Sequence, residues 1–336
     1  MKKWGTILLA CCAPAFAAVS GTVIDRTTGK PVAGVSVELM KFGQGGMTPA
    51  ASAKTDAKGS FAIDADVQGP QMVRTTIDGV AYNKMVPPGT PSTGIVLDVY
   101  QVSKRPGPAK VTKHMILFQP NGSGQMVINE TYIYENTGKT TWNDPDGGTL
   151  HYFMPTNATG QADVSATSAG SVAVPEFGEK TSRPDIFKVD FPVKPGETRF
   201  DLNYTVPYTM GQEYAGKIAT KDEMTYLIVP NGVTIQGANL KDLGQEPRTQ
   251  AHIYGLNTET YNVTLGGAEV AAAAPAAGTD NSDAGPQIEQ IMPRLYGKAE
   301  LILLLVLGIL ALGFALLYRA HPAQNTAKET NERGRR

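Results

Sequence analysis

Hydrophobic and polar residues alternate along most of the chain between its two ends. The segment from Val35 to Leu39 has valine and leucine at every second position, with Ser36 and Glu38 between them. This period of two is typical of a strand that has one face on a core and one face in water. The same alternation predicts further strands at 114–118, 125–136, 150–154, 224–229 and 260–265.

One pair of alternating segments predicts a hairpin. Large apolar residues occupy every second position over 187–193 and again over 200–206. Between them lies Lys194-Pro195-Gly196-Glu197, a sequence suited to a tight turn. The two segments are therefore predicted to be neighbouring antiparallel strands.

The pattern as a whole predicts an all-β protein with two β-sandwich-like domains in tandem. The first is expected at 18–104 and the second at 105–266, with the break at Arg105-Pro106-Gly107-Pro108. The 36 glycines and 23 prolines of the 336-residue chain also favour many turns over long helices.

The first 17 residues predict a secretory signal peptide. Lys2 and Lys3 precede an apolar stretch, and Ala15 and Ala17 stand at the small-residue positions that a signal peptidase recognises. The segment 8–11 also resembles a lipobox, in which Cys11 would be acylated, although the apolar region before it is short. Both forms of processing export the rest of the chain, and the choice between them stays open.

The other end predicts one membrane-spanning helix. Leu301 to Tyr318 is an apolar run of 18 residues without a charge, which spans about 27 Å at ~1.5 Å per residue. The helix is placed at 299–318 and follows a spacer and juxtamembrane segment at 267–298. The tail at 319–336 is basic, so it is expected in the cytoplasm. The predicted location is the bacterial cytoplasmic (inner) membrane, with both sandwiches outside the cytoplasm.

Composition and charge exclude several classes of function. The net charge is −1 and no basic face is evident, so nucleic acid is not an expected partner. The two cysteines, Cys11 and Cys12, both lie in the predicted signal, which leaves no thiol for a disulfide, a metal site or a nucleophile. The four histidines are far apart, and no catalytic motif is present. We therefore expect no cofactor, no metal and no enzymatic activity.

Two motifs near the start carry a resemblance to a known family. The first is Gly21-Thr-Val-Ile-Asp25 followed by Thr28-Gly-Lys-Pro31 and Val35 to Leu39, and the second is Thr55-Asp-Ala-Lys-Gly-Ser-Phe61. In this order and spacing they resemble the carboxypeptidase regulatory-like domain. That resemblance implies a sandwich of transthyretin-like shape and no peptidase activity of its own. The remainder resembles uncharacterised bacterial membrane proteins.

Candidate binding residues are few. Asp144 and Asp146 have the first spacing of a calcium loop, but no glutamate closes a twelve-residue loop, and Pro145 and two glycines account for a tight turn. The candidate ligand-binding aromatic residues are Trp142, Tyr132, Tyr134 and Tyr152. Alternation along strands favours a place in the core for these rings over an exposed sugar platform.

The sequence therefore predicts a membrane-anchored extracytoplasmic binding or scaffold protein that recognises another envelope protein. A carbohydrate-binding protein of the cell envelope is the alternative, and an unrecognised hydrolase is a third possibility.

Overall fold

The computed structural model describes residues 19–43, 46–65, 69–220 and 224–267. All of the regular structure in these ranges is β-strand, so the all-β prediction is confirmed for this part of the chain. The predicted signal peptide, spacer, transmembrane helix and tail lie outside the described residues. Among those that are described, no helix has the length and apolarity needed to cross a bilayer.

The first domain contains nine strands. They are β1 (Val19–Asp25), β2 (Lys30–Pro31), β3 (Ser36–Gly43), β4 (Gly46–Lys54), β5 (Ser60–Ile63), β6 (Gln71–Ile77), β7 (Val80–Val86), β8 (Ile95–Val99) and β9 (Gln101–Ser103).

Strands β1 to β8 form two sheets that enclose one core. One sheet has the order β4-β3-β6-β7 and is antiparallel, and the other is built around β1, which pairs with β2 and β5 antiparallel and with β8 parallel. Gly21 lies against the carbonyl of Ile95, where any side chain would collide with that oxygen. The core is apolar, and its fully buried members include Val23, Val37, Leu39, Ile63, Val73 and Leu97.

The predicted hairpin at 55–61 is present and is closed by its own residues. The Asp56 carboxylate accepts hydrogen bonds from the backbone N–H groups of Lys58 and Ser60, both at 2.8 Å. Gly59 has φ +72, which a glycine adopts without strain. Phe61, which follows, is buried.

The second domain contains fifteen strands. They are β10 (Lys110–Pro120), β11 (Gln125–Asn136), β12 (Thr140–Trp142), β13 (Leu150–Phe153), β14 (Thr159–Ser168), β15 (Val174–Glu176), β16 (Glu179–Lys180), β17 (Ile186–Val189), β18 (Gly196–Pro207), β19 (Glu213–Lys217), β20 (Thr225–Val229), β21 (Val233–Gly237), β22 (Leu240–Gln245), β23 (His252–Leu256) and β24 (Thr260–Gly267).

One large sheet organises this domain. It has eight strands in the order β15-β14-β18-β11-β10-β20-β23-β22. Two smaller sheets, β13-β17-β16 and β19-β24-β21, share a single hydrophobic core with its inner face. Eight tyrosines contribute to this core: Tyr132, Tyr134, Tyr152, Tyr204, Tyr208, Tyr214, Tyr254 and Tyr261.

The hairpin predicted between 187 and 206 is wrong. Strand β17 pairs with β13 and β16, whereas β18 pairs with β11 and β14 in the large sheet. Both segments alternate because both face the same core, and Lys194-Pro195 carries the chain from one sheet to the other. Alternation of apolar and polar residues indicates that a strand has a buried face, but it does not indicate which strand pairs with it.

The two domains are joined by paired backbone as well as by the connecting chain. Strand β9 runs parallel to β12, with Val102 opposite Thr141. The Tyr82 hydroxyl lies 2.9 Å from the Thr141 hydroxyl and donates to the carbonyl of Tyr100 at 2.9 Å. Lys194 adds a hydrogen bond of 2.6 Å from Nζ to the carbonyl of Ala81. Both domains lie within one compact unit.

Candidate functional site

The second domain has a groove on the outer face of its large sheet, which we call the outer groove. Its floor is formed by β11, β14 and β18, and its rim by β15 and Phe177. Because side chains alternate between the two faces of a strand, β18 directs Phe200 and Leu202 into the core and Asp201 and Asn203 into the groove.

Strand register arranges the groove's polar side chains in two rows. Asn129 lies opposite Asn203, which lies opposite Asp163, and the neighbouring row has Thr131, Asp201 and Ser165 in the same order. Within the first row Asn203 Nδ2 donates to Asn129 Oδ1 at 2.6 Å. Asn129 Nδ2 in turn donates to Gln119 Oε1 at 2.7 Å. These bonds fix the orientation of the two amides.

The second row is also held in place by hydrogen bonds. Thr131 Oγ1 donates to Asp201 Oδ1 at 2.7 Å. Arg199, on the same strand as Asp201, contacts both oxygens of that carboxylate through Nε and Nη2. Asp163, in contrast, receives no hydrogen bond from the described residues. Its carboxylate is therefore available to a ligand.

The rim places an aromatic ring in solvent beside these polar rows. Phe177 is 81% exposed, more than any other large hydrophobic residue among those described. It stands between β15, which pairs with β14, and β16, which pairs with β17, so it is anchored on both sides. Gly178, next along the chain, packs directly against the Tyr152 hydroxyl, where a larger residue would collide.

The groove carries negative rather than positive charge. Asp163, Asp201 and Glu176 line it, and Asp201 is paired with Arg199. Burial raises the pKa of Glu176, and the negative charge of Asp190 raises it further. A neutral or cationic ligand fits this electrostatic environment better than a polyanion does.

The cavity volume of the groove is about 520 Å³. This is within the range of small-molecule sites, which span roughly 300–1,000 Å³. Amides and carboxylates offer donors and acceptors in one plane, and the Phe177 ring offers an apolar face. The combination can bind a ligand that has both hydroxyl groups and C–H faces.

The aromatic residues singled out in the sequence lie elsewhere. Tyr132, Tyr134 and Tyr152 are 0%, 3% and 1% exposed and belong to the core of the second domain. Trp142 is partly buried, with its ring 6.1 Å from that of Tyr134. None of the three tyrosines presents a ring face to solvent, so they are core side chains and not a platform for a ligand.

The acidic turn at 144–148 is closed without a metal. Gly147 donates its backbone N–H to Asp144 Oδ1 at 3.1 Å, and Lys104 Nζ reaches Asp146 Oδ2 at 2.6 Å. Lys188 Nζ donates to the carbonyl of Asp146 at 2.7 Å. Throughout the described ranges, no group of three or more His, Cys, Asp or Glu side chains is placed to hold a metal ion.

A buried polar cluster lies under the large sheet, and we call it the core cluster. His114 Nε2 is 2.7 Å from Glu130 Oε1, which also accepts a hydrogen bond from the Tyr132 hydroxyl at 2.7 Å. His114 Nδ1 is 3.0 Å from the Thr225 hydroxyl, and its ring stacks on Tyr132 at 3.9 Å. His114 is 0% and Glu130 2% exposed, so a substrate does not reach the cluster in this conformation. Burial raises the pKa of Tyr132, and so does the Glu130 carboxylate, so that hydroxyl stays protonated and donates.

Sequence reasoning missed the groove. The polar residues between the core positions could have indicated its floor. These are Asn129 and Thr131 on β11 and Asp201 and Asn203 on β18. The pairing of these strands across a long separation in the chain is not visible in that pattern. Phe177 lies between two short strands and is not part of an alternating pattern, so the sequence pattern does not indicate where its ring lies.

Comparisons with known proteins bear on the first domain. The sequence profile of the carboxypeptidase regulatory-like domain matches residues 18–96. Comparison with curated protein sequences gives no match.

Similarity to solved structures is limited. The chain is similar to an M1 zinc metallopeptidase from Deinococcus radiodurans, at 10% identity and a TM-score of 0.27, over 47% of this chain and 42% of that one. A two-domain M1 zinc metallopeptidase mutant bound to L-tryptophan matches with the same identity and TM-score, over 43% of its own chain. This chain thus spans less than half the length of either structure.

The profile match covers strands β1 to β7 and the start of β8, and it includes both of the motifs that predicted this fold. The N-terminal region, residues 18–96, is therefore a carboxypeptidase regulatory-like domain.

Proposed function

We propose that this chain is a membrane-anchored extracytoplasmic binding protein of a bacterial envelope, and that its second domain binds a neutral saccharide in the outer groove. The observation that carries this proposal is the exposed Phe177 ring beside two ordered rows of amide, hydroxyl and carboxylate side chains. The role proposed is binding and not catalysis.

The chemistry of sugars matches this surface. A pyranose has one face of C–H groups, which stacks on an aromatic ring, and a rim of hydroxyls, which pair with planar amides and carboxylates. Asp163 has free acceptor atoms for such hydroxyls, and the amides of Asn129 and Asn203 are already fixed in orientation. A site whose side chains are pre-ordered loses less entropy when it binds.

Glycan binding tests the proposal. The full chain in detergent is applied to an array of neutral and anionic bacterial envelope oligosaccharides, and bound glycans are then titrated by calorimetry. Phe177→Ala is expected to weaken binding about tenfold, equivalent to about 1.4 kcal/mol. Asp163→Ala is expected to weaken it at least as much, since a hydrogen bond to a charged group contributes roughly 1.5–3 kcal/mol.

Phe42→Ala is the matched control, because Phe42 is also an exposed phenylalanine but lies on β3, outside the groove. It should leave saccharide affinity unchanged. The proposal is wrong if no neutral glycan binds, or if Phe177→Ala and Phe42→Ala reduce binding equally.

A protein partner is the second candidate function, and a different surface favours it. Phe42 and Met47 face each other across β3 and β4 near the end of their hairpin, and they are 40% and 38% exposed. Neighbouring exposed apolar side chains are typical of protein contacts. A photo-crosslinking residue at Met47 should capture an envelope protein in intact cells, and Phe42→Ala should abolish capture while Phe177→Ala should not.

The membrane anchor has its own test. The signal, the apolar run at 301–318 and the basic tail support an ectodomain outside the cytoplasm. Protease added to spheroplasts should digest the two sandwiches and spare a tag placed after Arg336. Digestion of the tag would place the C-terminus outside and contradict the orientation.

A further inference from the structure

A cleft where the two domains meet, which we call the junction cleft, contains more positive than negative charge. It has a cavity volume of about 280 Å³ and is lined on one side by β7 and β8. The other side is formed by residues 169–171 and by Lys194 and Pro195 of the second domain.

Lys194 is the central cation of this cleft. Its Nζ donates one hydrogen bond, to the carbonyl of Ala81, and lies 5.2 Å from the centre of the Tyr82 ring. An ammonium group has three donors, and within the described ranges no carboxylate lies within salt-bridge distance of it. Partial burial without an anion lowers the pKa of Lys194 to about 8, and the positive charge of Arg74 lowers it further.

Two further cations lie near Lys194, since Lys84 lines the same cleft and the positive charge of Arg74 acts on Lys194. Arg74 on β6 lies opposite Asn83 on β7, and its Nε is buried with no hydrogen-bond partner. The Asn83 Oδ1 atom is also buried and unpartnered. Lys84, an exposed residue of the cleft lining, makes no ion pair with the described residues.

The one carboxylate that lines the cleft is already engaged. Asp98 pairs with Arg26 at 2.7 Å. The cleft therefore holds Lys194, Lys84 and the nearby Arg74 against no free acid. A partly buried cation such as Lys194 or Arg74 is costly unless an anion neutralises it.

We infer that the junction cleft is a binding site for a phosphate group, held by Lys194 with Lys84 and Arg74. A phosphate dianion matches two or three cations in charge, and its oxygens accept the free N–H donors. The group comes either from free phosphate or from a phosphate monoester on a larger envelope molecule. Because Lys84 and Arg74 belong to the first domain and Lys194 to the second, an anion held by all three contacts both domains.

Phosphate titration tests the inference. The full chain in detergent is titrated with sodium phosphate at pH 7.5, with sodium chloride adjusted to keep ionic strength constant, and its melting temperature is followed. A saturable rise is expected with phosphate but not with chloride or acetate. A parallel titration with glycerol 3-phosphate separates the two sources, since a stronger effect than that of phosphate indicates a monoester.

Variants then locate the site. Lys194→Met should remove the saturable rise and Lys194→Arg should retain most of it. Lys104→Met is the control, because Lys104 is an exposed lysine outside the cleft that pairs with Asp146.

The wild-type chain gives a second measurement that needs no variant. The rate at which an amine-reactive acetylating reagent labels Lys194 should fall at least threefold in saturating phosphate, while the rate at Lys104 should not change. The inference is overturned if phosphate has no saturable effect beyond chloride, if Lys194→Met leaves that effect intact, or if labelling of Lys194 is insensitive to phosphate.

Discussion

The two hydrophobic cores of the chain are built differently although both lie between β-sheets. In the first domain the core residues are aliphatic side chains with Phe61 and Tyr82, and no ionisable carboxylate or histidine is buried among those described. In the second, His114 and Glu130 lie in the core together with eight tyrosines. The first core is specified by shape, whereas the second also depends on a particular set of hydrogen bonds.

The largest effect is expected when the core cluster of the second domain is broken. Glu130→Ala leaves the Tyr132 hydroxyl without its acceptor and takes the carboxylate from His114. Each buried group that is left without a hydrogen-bond partner costs roughly 1–3 kcal/mol, so a loss of about 4 kcal/mol is expected when two groups lose theirs. Urea unfolding followed by the fluorescence of Trp142 should show this loss.

Glu135→Ala provides the control for that experiment, because Glu135 is an exposed glutamate on the same strand. It should shift the midpoint little. Equal effects of the two substitutions would mean that the core cluster does not stabilise the domain.

A somewhat smaller effect is expected from a cavity in the first domain. Leu39 is 0% exposed, and Leu39→Ala should cost about 3 kcal/mol, since buried leucine-to-alanine changes cost roughly 2–5 kcal/mol. Calorimetry should show a lower transition temperature for the first domain only. Loss of Trp142 fluorescence at the same lowered temperature would show instead that the domains unfold together.

A pH effect of about 2 kcal/mol is expected from the residue that bridges the domains. The pKa of Lys194 is lowered to about 8 in the folded protein, against about 10.4 in an unfolded chain. Between these values the unfolded chain binds the proton that the folded chain has released, so the free energy of unfolding rises with pH. The buried tyrosines have raised pKa values and stay protonated in the folded protein, whereas in the unfolded chain they begin to ionise near about pH 9.5, so they lower the free energy of unfolding and oppose the lysine. The effect of Lys194 is therefore read as the difference between the wild-type chain and Lys194→Met, in which the tyrosine contribution cancels.

The measurement is urea unfolding at pH 8, 9 and 9.5 without phosphate. The contribution of Lys194 over this range is somewhat less than ~2 kcal/mol, because the slope of about 1.36 kcal/mol per pH unit is reached only above pH 8, where the folded lysine has lost its proton. The difference in free energy of unfolding between the wild-type chain and Lys194→Met should grow by this amount from pH 8 to 9.5. A difference that stays constant would show that Lys194 does not titrate in this range.

The smallest effect is expected at the contact between the domains. Tyr82→Phe removes one hydroxyl, which bonds to the Tyr100 carbonyl and lies beside the Thr141 hydroxyl. The expected loss is about 1 kcal/mol, the usual net value of an internal hydrogen bond. Calorimetry should show the two unfolding transitions moving apart, while Tyr100→Phe, which keeps that carbonyl, should leave them in place.

Sequence patterns could predict the first domain more fully than the second. In the first, two short motifs hold turns that close on themselves, as Asp56 and Gly59 do, so local sequence determines the hairpin. In the second, the neighbours of β18 are β11 and β14, which lie far away in the chain. Alternation placed Phe200 and Leu202 in a core correctly, but it could not choose their partners.

The candidate site was less predictable for a related reason. The groove exists only because Asn129, Asp163 and Asn203 fall in register across three strands. Its aromatic residue, Phe177, lies in a connection between two short strands with no period to identify it. The aromatic residues that the sequence did single out are conspicuous because they are large, and large rings are placed in cores by the hydrophobic effect.

The pairing of β9 with β12 also limits where recombination can exchange one domain of this protein for another. The match to the regulatory-like domain ends at residue 96, yet Gln101 to Ser103 are a strand of a ladder completed by the second domain. Recombination that exchanged only the matched segment would keep this ladder. The new domain would still need hydroxyl groups where Tyr82 and Thr27 now contact the Thr141 hydroxyl and the Lys139 carbonyl. Recombination after residue 104 would instead transfer one half of the ladder without the other. A first domain can therefore be exchanged without loss of this ladder only when residues 101–103 stay with the second domain.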